Sequence, residues 1–289
     1  MRLLRTFPLA ALLLGLGLPS LSRAQDFEGV ITTRQITLSE AVLSELLDPD
    51  DYEEETIDYR KVFAIPMDQI LMLAGEATDE VTVEELTYSI KGTKLRVSGN
   101  LSETMPGYAI LDFAAGTFQL VQPSEKMYLE LTKADFEKFQ AMMPETGKEG
   151  EVSESVEARP LGLTKEINGM QCDAFEIETE EWVSVAWVTP ELEDLVGVFV
   201  EFESRMDDMG MFDDDDEDSE IFSIVAEHGF PVLEQTFYTF GGYGAEYEIM
   251  EITKVERKSL PAEYFGIPSD YERLGIMDMM EMFGRDENY

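Results

Sequence analysis

Leu86-Thr-Tyr-Ser-Ile-Lys91, then Gly92-Thr93, then Lys94-Leu-Arg-Val-Ser98: apolar and polar residues alternate on either side of a glycine turn. That period of two belongs to a β-strand with one buried face, and the turn makes the pair a hairpin. The pattern repeats immediately, with Tyr108 to Phe113, a turn at Ala114-Ala115-Gly116, Thr117 to Gln122, and then Met127 to Thr132. Alternation puts Ala109, Leu111 and Phe113 on one side of their strand, and Met127, Leu129 and Leu131 on one side of theirs. The stretch from residue 86 to 132 is therefore a meander of antiparallel strands with an apolar face. Ala134 to Met143 follows, with Phe136, Phe139, Met142 and Met143 at helical spacing before Pro144, which predicts a helix on that face.

Working outward, Asp26 to Thr37 reads as an opening strand. Ser39 then caps a short helix whose apolar side is Ala41, Val42, Leu43, Leu46 and Leu47, and Asp48-Pro-Asp-Asp ends it. An acidic linker and a second short helix, with Ile70, Leu71 and Leu73 before Gly75, lead into the meander. Downstream, residues 145–159 form an acidic loop. Leu163 to Ile167 and Met170 to Glu178 flank Asn168-Gly169, the pair that accepts the positive φ angles of a type I′ turn. Trp182 to Val188 is a strand, and Thr189-Pro190-Glu191 opens a helix through Met206. Strands are expected at Glu220 to Ala226, Val232 to Phe240 and Ala245 to Lys258, with a turn at Gly229-Phe230-Pro231 and a short amphipathic tail. The fold class is α+β, mainly β, with a few helices.

The N-terminus has the grammar of export. Arg2 and Arg5 precede an apolar run from Phe7 to Leu18, and Ser22-Arg23-Ala24 offers small residues where a signal peptidase reads. Residues 1–24 are expected to be a signal peptide and 25–289 a single domain with acidic insertions at about 48–58, 145–159 and 207–220. The apolar run is shorter than the roughly 20 residues a membrane-spanning helix needs, so no transmembrane span is expected. The destination is the periplasm or the extracellular space.

Charge narrows the partners. The chain holds 61 Asp and Glu against 21 Lys and Arg, a formal −40 at pH 7, and loss of residues 1–24 takes this to −43 because Arg2, Arg5 and Arg23 go with them. Such a surface repels nucleic acid and anionic lipid, keeps the chain soluble and suits a basic envelope protein as partner.

Motifs for chemistry are few. Cys172 is the single cysteine and His228 the single histidine, and they sit in a strand and a turn with nothing in the spacing to join them, so a buried inert thiol is expected. The acidic run from Asp207 to Glu220 fails the calcium-loop pattern, with Asp218 where glycine belongs and Ile224 where the bidentate glutamate belongs. The methionine clusters Met206-Met209-Met211 and Met277-Met279-Met280-Met282 suit soft-metal binding in principle, but Ile276, Met279, Met280 and Phe283 share one helix face, which accounts for the second as packing. Gly241-Gly-Tyr-Gly lacks dinucleotide spacing, and no nucleophile-elbow, zinc-protease or phosphate-loop motif is present. No metal, cofactor or catalytic residue is assigned.

Several phrases resemble an uncharacterised family of secreted bacterial domains: Phe27-Glu-Gly-Val-Ile31, Tyr88-Ser-Ile-Lys-Gly-Thr-Lys-Leu-Arg-Val97, Met127-Tyr-Leu-Glu-Leu131, Ile167-Asn-Gly-Met-Gln-Cys172 and Ala186-Trp-Val-Thr-Pro-Glu-Leu192. The order of elements is similar to the LolA and LolB lipoprotein-carrier architecture. That resemblance implies a curved antiparallel sheet, a half-barrel, with helices packed on its concave face around an apolar cavity. It covers most of residues 26–270, and the insertion from Leu38 to Glu85 departs from it. The resemblance carries no functional residue across. Two readings follow: a non-enzymatic binding protein holding a lipid, acyl chain or lipidated peptide, or an interaction module with a filled core and an acidic partner-facing surface. For the first, alternation selects Leu111, Phe113, Leu129, Leu131, Phe136, Phe139, Val185 and Trp187 as cavity candidates. Oligomeric state is open.

Overall fold

β-Branched and aromatic residues at alternating positions drive the chain into long strands, and their hydrogen-bonding edges find partners far apart in sequence. In the computed structural model, residues 27–47, 52–53, 56–74, 80–99, 107–135, 158–179, 182–208, 225–239 and 245–275 are described. The opening strand β1 (Glu28–Ser39) lies in the interior of the sheet, between β4 (Val81–Lys91) and β13 (Ala245–Arg257). On the β4 side follow β5 (Lys94–Gly99), β6 (Gly107–Asp112), β7 (Thr117–Gln122) and β8 (Met127–Thr132), with the short β14 (Glu272–Leu274) at the edge. On the β13 side follow β12 (Phe230–Thr239), β11 (Trp182–Thr189), β10 (Met170–Glu178) and β9 (Arg159–Ile167). The result is one open, curved, 12-stranded sheet, antiparallel throughout except where β14 runs parallel to β8. A two-stranded ribbon, β2 (Tyr52–Glu53) and β3 (Thr56–Ile57), stands apart.

Turn chemistry sets the local registers. Asn168 (φ 50°) and Gly169 (φ 83°) hold the left-handed angles of the tight hairpin, so Ile167 pairs directly with Met170. Pro231 lies inside β12 rather than in a turn, opposite Val188 at a register break, the kind of position where a strand tolerates a residue without an N–H. Val225 and Ala226 form a helical turn, not a strand end: the amides of His228 and Gly229 both donate to the Val225 carbonyl.

Register also separates the two faces. Gly29 pairs with Ile90, Ile90 with Leu95, Leu95 with Leu111, Leu111 with Phe118 and Phe118 with Leu131, a single row on what we term the first face. Ile36 pairs with Ile249, Ile249 with Gln235 and Gln235 with Val185. Gly29 and Ile36 are an odd number of residues apart in a strand whose pairing with β4 is unbroken, so the second row lies on the opposite, second face. β1 accordingly buries Ile31 and Thr33 on the first face, then Ile36 and Leu38 on the second.

Each face has its own helices. α1 (Glu40–Leu46), α2 (Tyr59–Phe63) and α3 (Met67–Ala74), all in the insertion, contribute Val42, Leu43, Val62 and Ile70 to the core. Phe63 of α2 meets Tyr247 on the second face with ring centroids 5.8 Å apart. α4 (Glu193–Asp208) covers the first face with Leu195, Val196, Val198, Phe199 and Phe202, all buried. Burial of such side chains is worth about 2 kcal/mol each, which holds an otherwise acidic helix against the sheet. Thr189 starts this segment as read from the sequence, its Oγ1 accepting from the Glu191 amide at 3.3 Å, although the first turn, Pro190–Leu192, is a 3-10 helix.

Beyond β13 the chain returns along the second face as a strap. The Leu260 amide donates to Glu28 Oε1 at 2.6 Å, and Lys91 Nζ donates to the Leu260 carbonyl and to the same carboxylate. These bonds, from Lys91 first and Leu260 next, hold the Glu28 carboxyl below its ordinary range. The Arg96 guanidinium lies between the Tyr108 and Tyr264 rings, 3.7 and 4.2 Å from their centroids, and donates to the Tyr264 carbonyl. The predicted signal peptide, the part of the predicted helix after Asp135, the acidic run 209–220, the glycine cluster at 241–244 and the methionine-rich tail lie outside the described residues.

Candidate functional site

The first face between α4 and the meander is the candidate site. Leu111 and Leu131 both pair with Phe118, Leu129 pairs with Leu120, and Phe113 continues the alternation of β6, its amide donating to the Thr93 carbonyl at 2.9 Å. Leu111, Phe113, Phe118, Leu129 and Leu131 are all buried. Phe202 stacks on Phe113 with centroids 4.6 Å apart and planes at 19°, while Phe199 reaches Phe202 at 6.3 Å and Phe230 at 5.3 Å. The aromatic row thus runs from the meander across α4 to the start of β12.

Two arginines fix the ends of α4. Arg257 of β13 grips Asp194 through both carboxylate oxygens, at 2.8 and 3.1 Å. Arg205 pairs with Glu201 at 2.7 Å and donates to the Phe113 carbonyl at 3.4 Å. Between these clamps the side chains α4 buries are Leu195, Val196, Val198, Phe199 and Phe202, all hydrocarbon or aromatic ring, so their contribution is burial and shape.

The structure gathers four of the eight cavity candidates here: Leu111, Phe113, Leu129 and Leu131. Phe136 and Phe139 lie outside the described residues. Val185 and Trp187 are on the second face, opposite Gln235 and Leu233, with the sheet between them and Leu111. Val185 is buried there, and Trp187 is half-buried with Lys165 Nζ 5.4 Å from its ring centroid. Period-two reading says which residues of a strand share a side but not which side two distant strands have in common. Phe118, Phe199, Phe202 and Phe230 complete the row and were not singled out. The first three had a signal, Phe118 through alternation with Leu120, and Phe199 and Phe202 through their spacing from Leu195 on one helix face.

Further along the first face the lining turns polar: Ser184, Thr236 and Glu234 are buried, with Ser184 Oγ donating to Glu234 Oε1 at 3.2 Å and Thr236 Oγ1 donating to Ser184 Oγ at 3.1 Å. At the meander's outer edge Glu130, Asp135, Arg273, Leu274 and Gly275 frame an open groove of about 240 Å³.

Cys172 and His228 do not meet. Cys172 lies three residues before Phe175 in β10 and therefore on the opposite face, while the imidazole stacks on the Phe175 ring at 4.2 Å. Burial pushes the Cys172 thiol up to about 11. Iodoacetamide at neutral pH should accordingly leave the folded protein unlabelled over hours and modify Cys172 fully in denaturant. Rapid labelling of the folded form, read by intact mass, would contradict the buried placement. Among the described residues, no group of three or more His, Cys, Asp or Glu is placed to hold a metal ion, and no helix is long and apolar enough to cross a membrane.

Comparison with known families finds that the family described as Domain of unknown function (DUF4412) matches residues 72–271. No curated protein matches the chain. Among solved structures, PNGF-II in space group C2 is 8% identical and covers 89% of this chain with a TM-score of 0.34, and this chain spans 33% of its length. The LolA superfamily protein NE2245 from Nitrosomonas europaea is 10% identical and covers 85% of this chain and 95% of its own, with a TM-score of 0.28.

Proposed function

The chain belongs to the family described as Domain of unknown function (DUF4412), which assigns no activity, and from the chain's own geometry we propose a non-enzymatic binding protein of the cell envelope. It is exported by residues 1–24 to the periplasm or beyond and folds as a single domain over residues 25–289. Its ligand is a lipid, an acyl chain or a lipidated peptide, taken up between α4 and the first face against Leu111, Phe113, Leu129 and Leu131. Val185 and Trp187 are not part of this cavity, since they face the other way.

The observation that carries this reading is the unbroken apolar row of the meander lidded by an aromatic helix, a surface that recognises hydrocarbon and little else. One observation favours the second reading, an interaction module with a filled interior: Phe113 and Phe202 are in direct stacking contact, as side chains are in a closed core.

Native mass spectrometry on protein purified gently from the envelope fraction separates the two. A stoichiometric adduct that organic extraction releases as a lipid or other hydrophobe supports the carrier reading and identifies the ligand class. A mass equal to the bare chain, unchanged after incubation with mixed envelope lipids, overturns it and leaves the filled module.

A further inference from the structure

The end of β13 serves both faces of the sheet at once. Arg257 pairs with Gly29 on the first face, lies over the Phe27 ring at 5.6 Å and grips Asp194 in the first turn of α4. One residue on, the Lys258 amide donates to the Glu28 carbonyl at 3.1 Å, and the strap begins its run over the second face. Phe27 and Glu28 are likewise consecutive, so two facing peptide units carry the α4 clamp on one side and the root of the strap on the other. Gly29 beside them has the Glu256 carbonyl where a Cβ would stand, which keeps the two strands in close contact at this point.

The strap is held differently from the strands beneath it. Strands β13, β1, β4 and β5 are joined by backbone ladders, whereas Leu260 and Tyr264 are held by the side chains of Glu28, Lys91 and Arg96, each carrying a charge. Farther along, Lys126 pairs with Asp270 at 2.8 Å, and its carbonyl accepts from the Glu272 amide at 2.8 Å. The Glu28 and Lys91 side chains are each 35% exposed, so water and salt reach this latch. Such contacts open locally at a lower free energy than a sheet ladder does. Leu260 and Phe265 are buried, so the strap lifts as one unit rather than fraying residue by residue. We propose that residues 258–274 are a releasable clasp coupled through the sheet to α4: when the strap lifts from Glu28, Lys91 and Arg96, the end of β13 shifts, Arg257 loses its hold on Asp194, and the first turn of α4 loosens over the first face. Linkage runs both ways, so a seated α4 also tightens the strap. As regulation of ligand access the inference rests on the site proposed above, whereas the mechanical coupling stands on these contacts alone.

Amide hydrogen exchange on the full chain, read by peptide mass, is the test. Arg96→Ala, which removes the middle latch, should accelerate exchange of residues 260–266 about tenfold and of the first turn of α4, 193–197, about fivefold, with β11 and β12 unchanged. Asp194→Asn should accelerate the strap by a comparable factor, as reciprocity requires. Arg205→Ala, at the far end of α4, should loosen that end and leave the strap as it is. Strap acceleration with the first turn of α4 unchanged, equal acceleration in every strand, or a strap response to Arg205→Ala equal to that of Asp194→Asn would overturn the coupling. If Arg96→Ala folds poorly, raising salt from about 50 mM to about 1 M on the unaltered protein releases the same latch, and the same paired response is required. A fatty acid that fails to bind would overturn the carrier reading and leave this result untouched.

Discussion

Phe202→Ala is expected to cost about 4 kcal/mol of folding stability, the range for removing a buried aromatic ring from a core that cannot fully close behind it. The ring is buried, stacked on Phe113 at 4.6 Å and within reach of Phe199, so its loss breaks the aromatic row in the middle and detaches α4 from the meander. For a chain of this size the midpoint of thermal unfolding should fall by roughly 10 °C. A double-mutant cycle with Phe113→Ala should return a coupling of about 1 kcal/mol, as expected for a stacked pair beyond its area of burial. A loss below about 1 kcal/mol would show that α4 does not rest on this face in solution. The same variant informs the carrier reading, since a face built to accept hydrocarbon should regain stability when a long-chain fatty acid is added.

Gly229→Ala should also be strongly destabilising, for a different reason. Gly229 has φ +145°, and a Cβ built there would stand 2.6 Å from the Thr189 carbonyl oxygen and 2.8 Å from its carbon. Both obstacles are backbone, so no rotamer change relieves them. Relief requires separating the end of β11 from the start of β12, where Thr189 pairs with Phe230, and Thr189 is also the residue that caps the segment leading into α4. We expect a loss of about 3 kcal/mol or more, read from denaturant midpoints. Gly169→Ala is the matched control: it too has positive φ, +83°, but nothing lies within 4 Å of the added methyl group, so only local backbone strain of about 1 kcal/mol should appear. If the two substitutions cost the same, the close approach at Thr189 is not present in solution.

Local grammar was legible and distant pairing was not. Thr117 to Gln122 and Met127 to Thr132 were placed to the residue, because each carries strict alternation between glycine-bearing or polar turns. The Asn168-Gly169 hairpin and the Thr189-Pro190 helix start were equally clear, since both depend on side chains and φ angles within four residues of each other. The place of β1 between β4 and β13 left no such mark: Arg34 finds Glu251 at 2.5 Å across 217 positions of chain. β1 also changes its buried side between Thr33 and Ile36, which erases the single period a strand usually shows. The same gap explains the candidate site. Leu111, Phe113, Leu129 and Leu131 share one local meander and come together, whereas Val185 and Trp187 connect to them only across the β1–β13 junction, which leaves no local mark, and fall on the other face. Pro231 has the local look of a turn residue because its fit in β12 depends on a register break against Val188 that only the partner strand creates.

The interior position of β1 has a consequence for how the protein comes into being. The first of the described strands to be synthesised is also one whose second neighbour, Ala245–Arg257, is among the last. Until Ala245–Arg257 has been made, the two wings of the sheet have no seam to join along, and closing so long a loop makes assembly slow. Such a chain stays pliable while it is being made and commits to its final shape only when Ala245–Arg257 can reach β1.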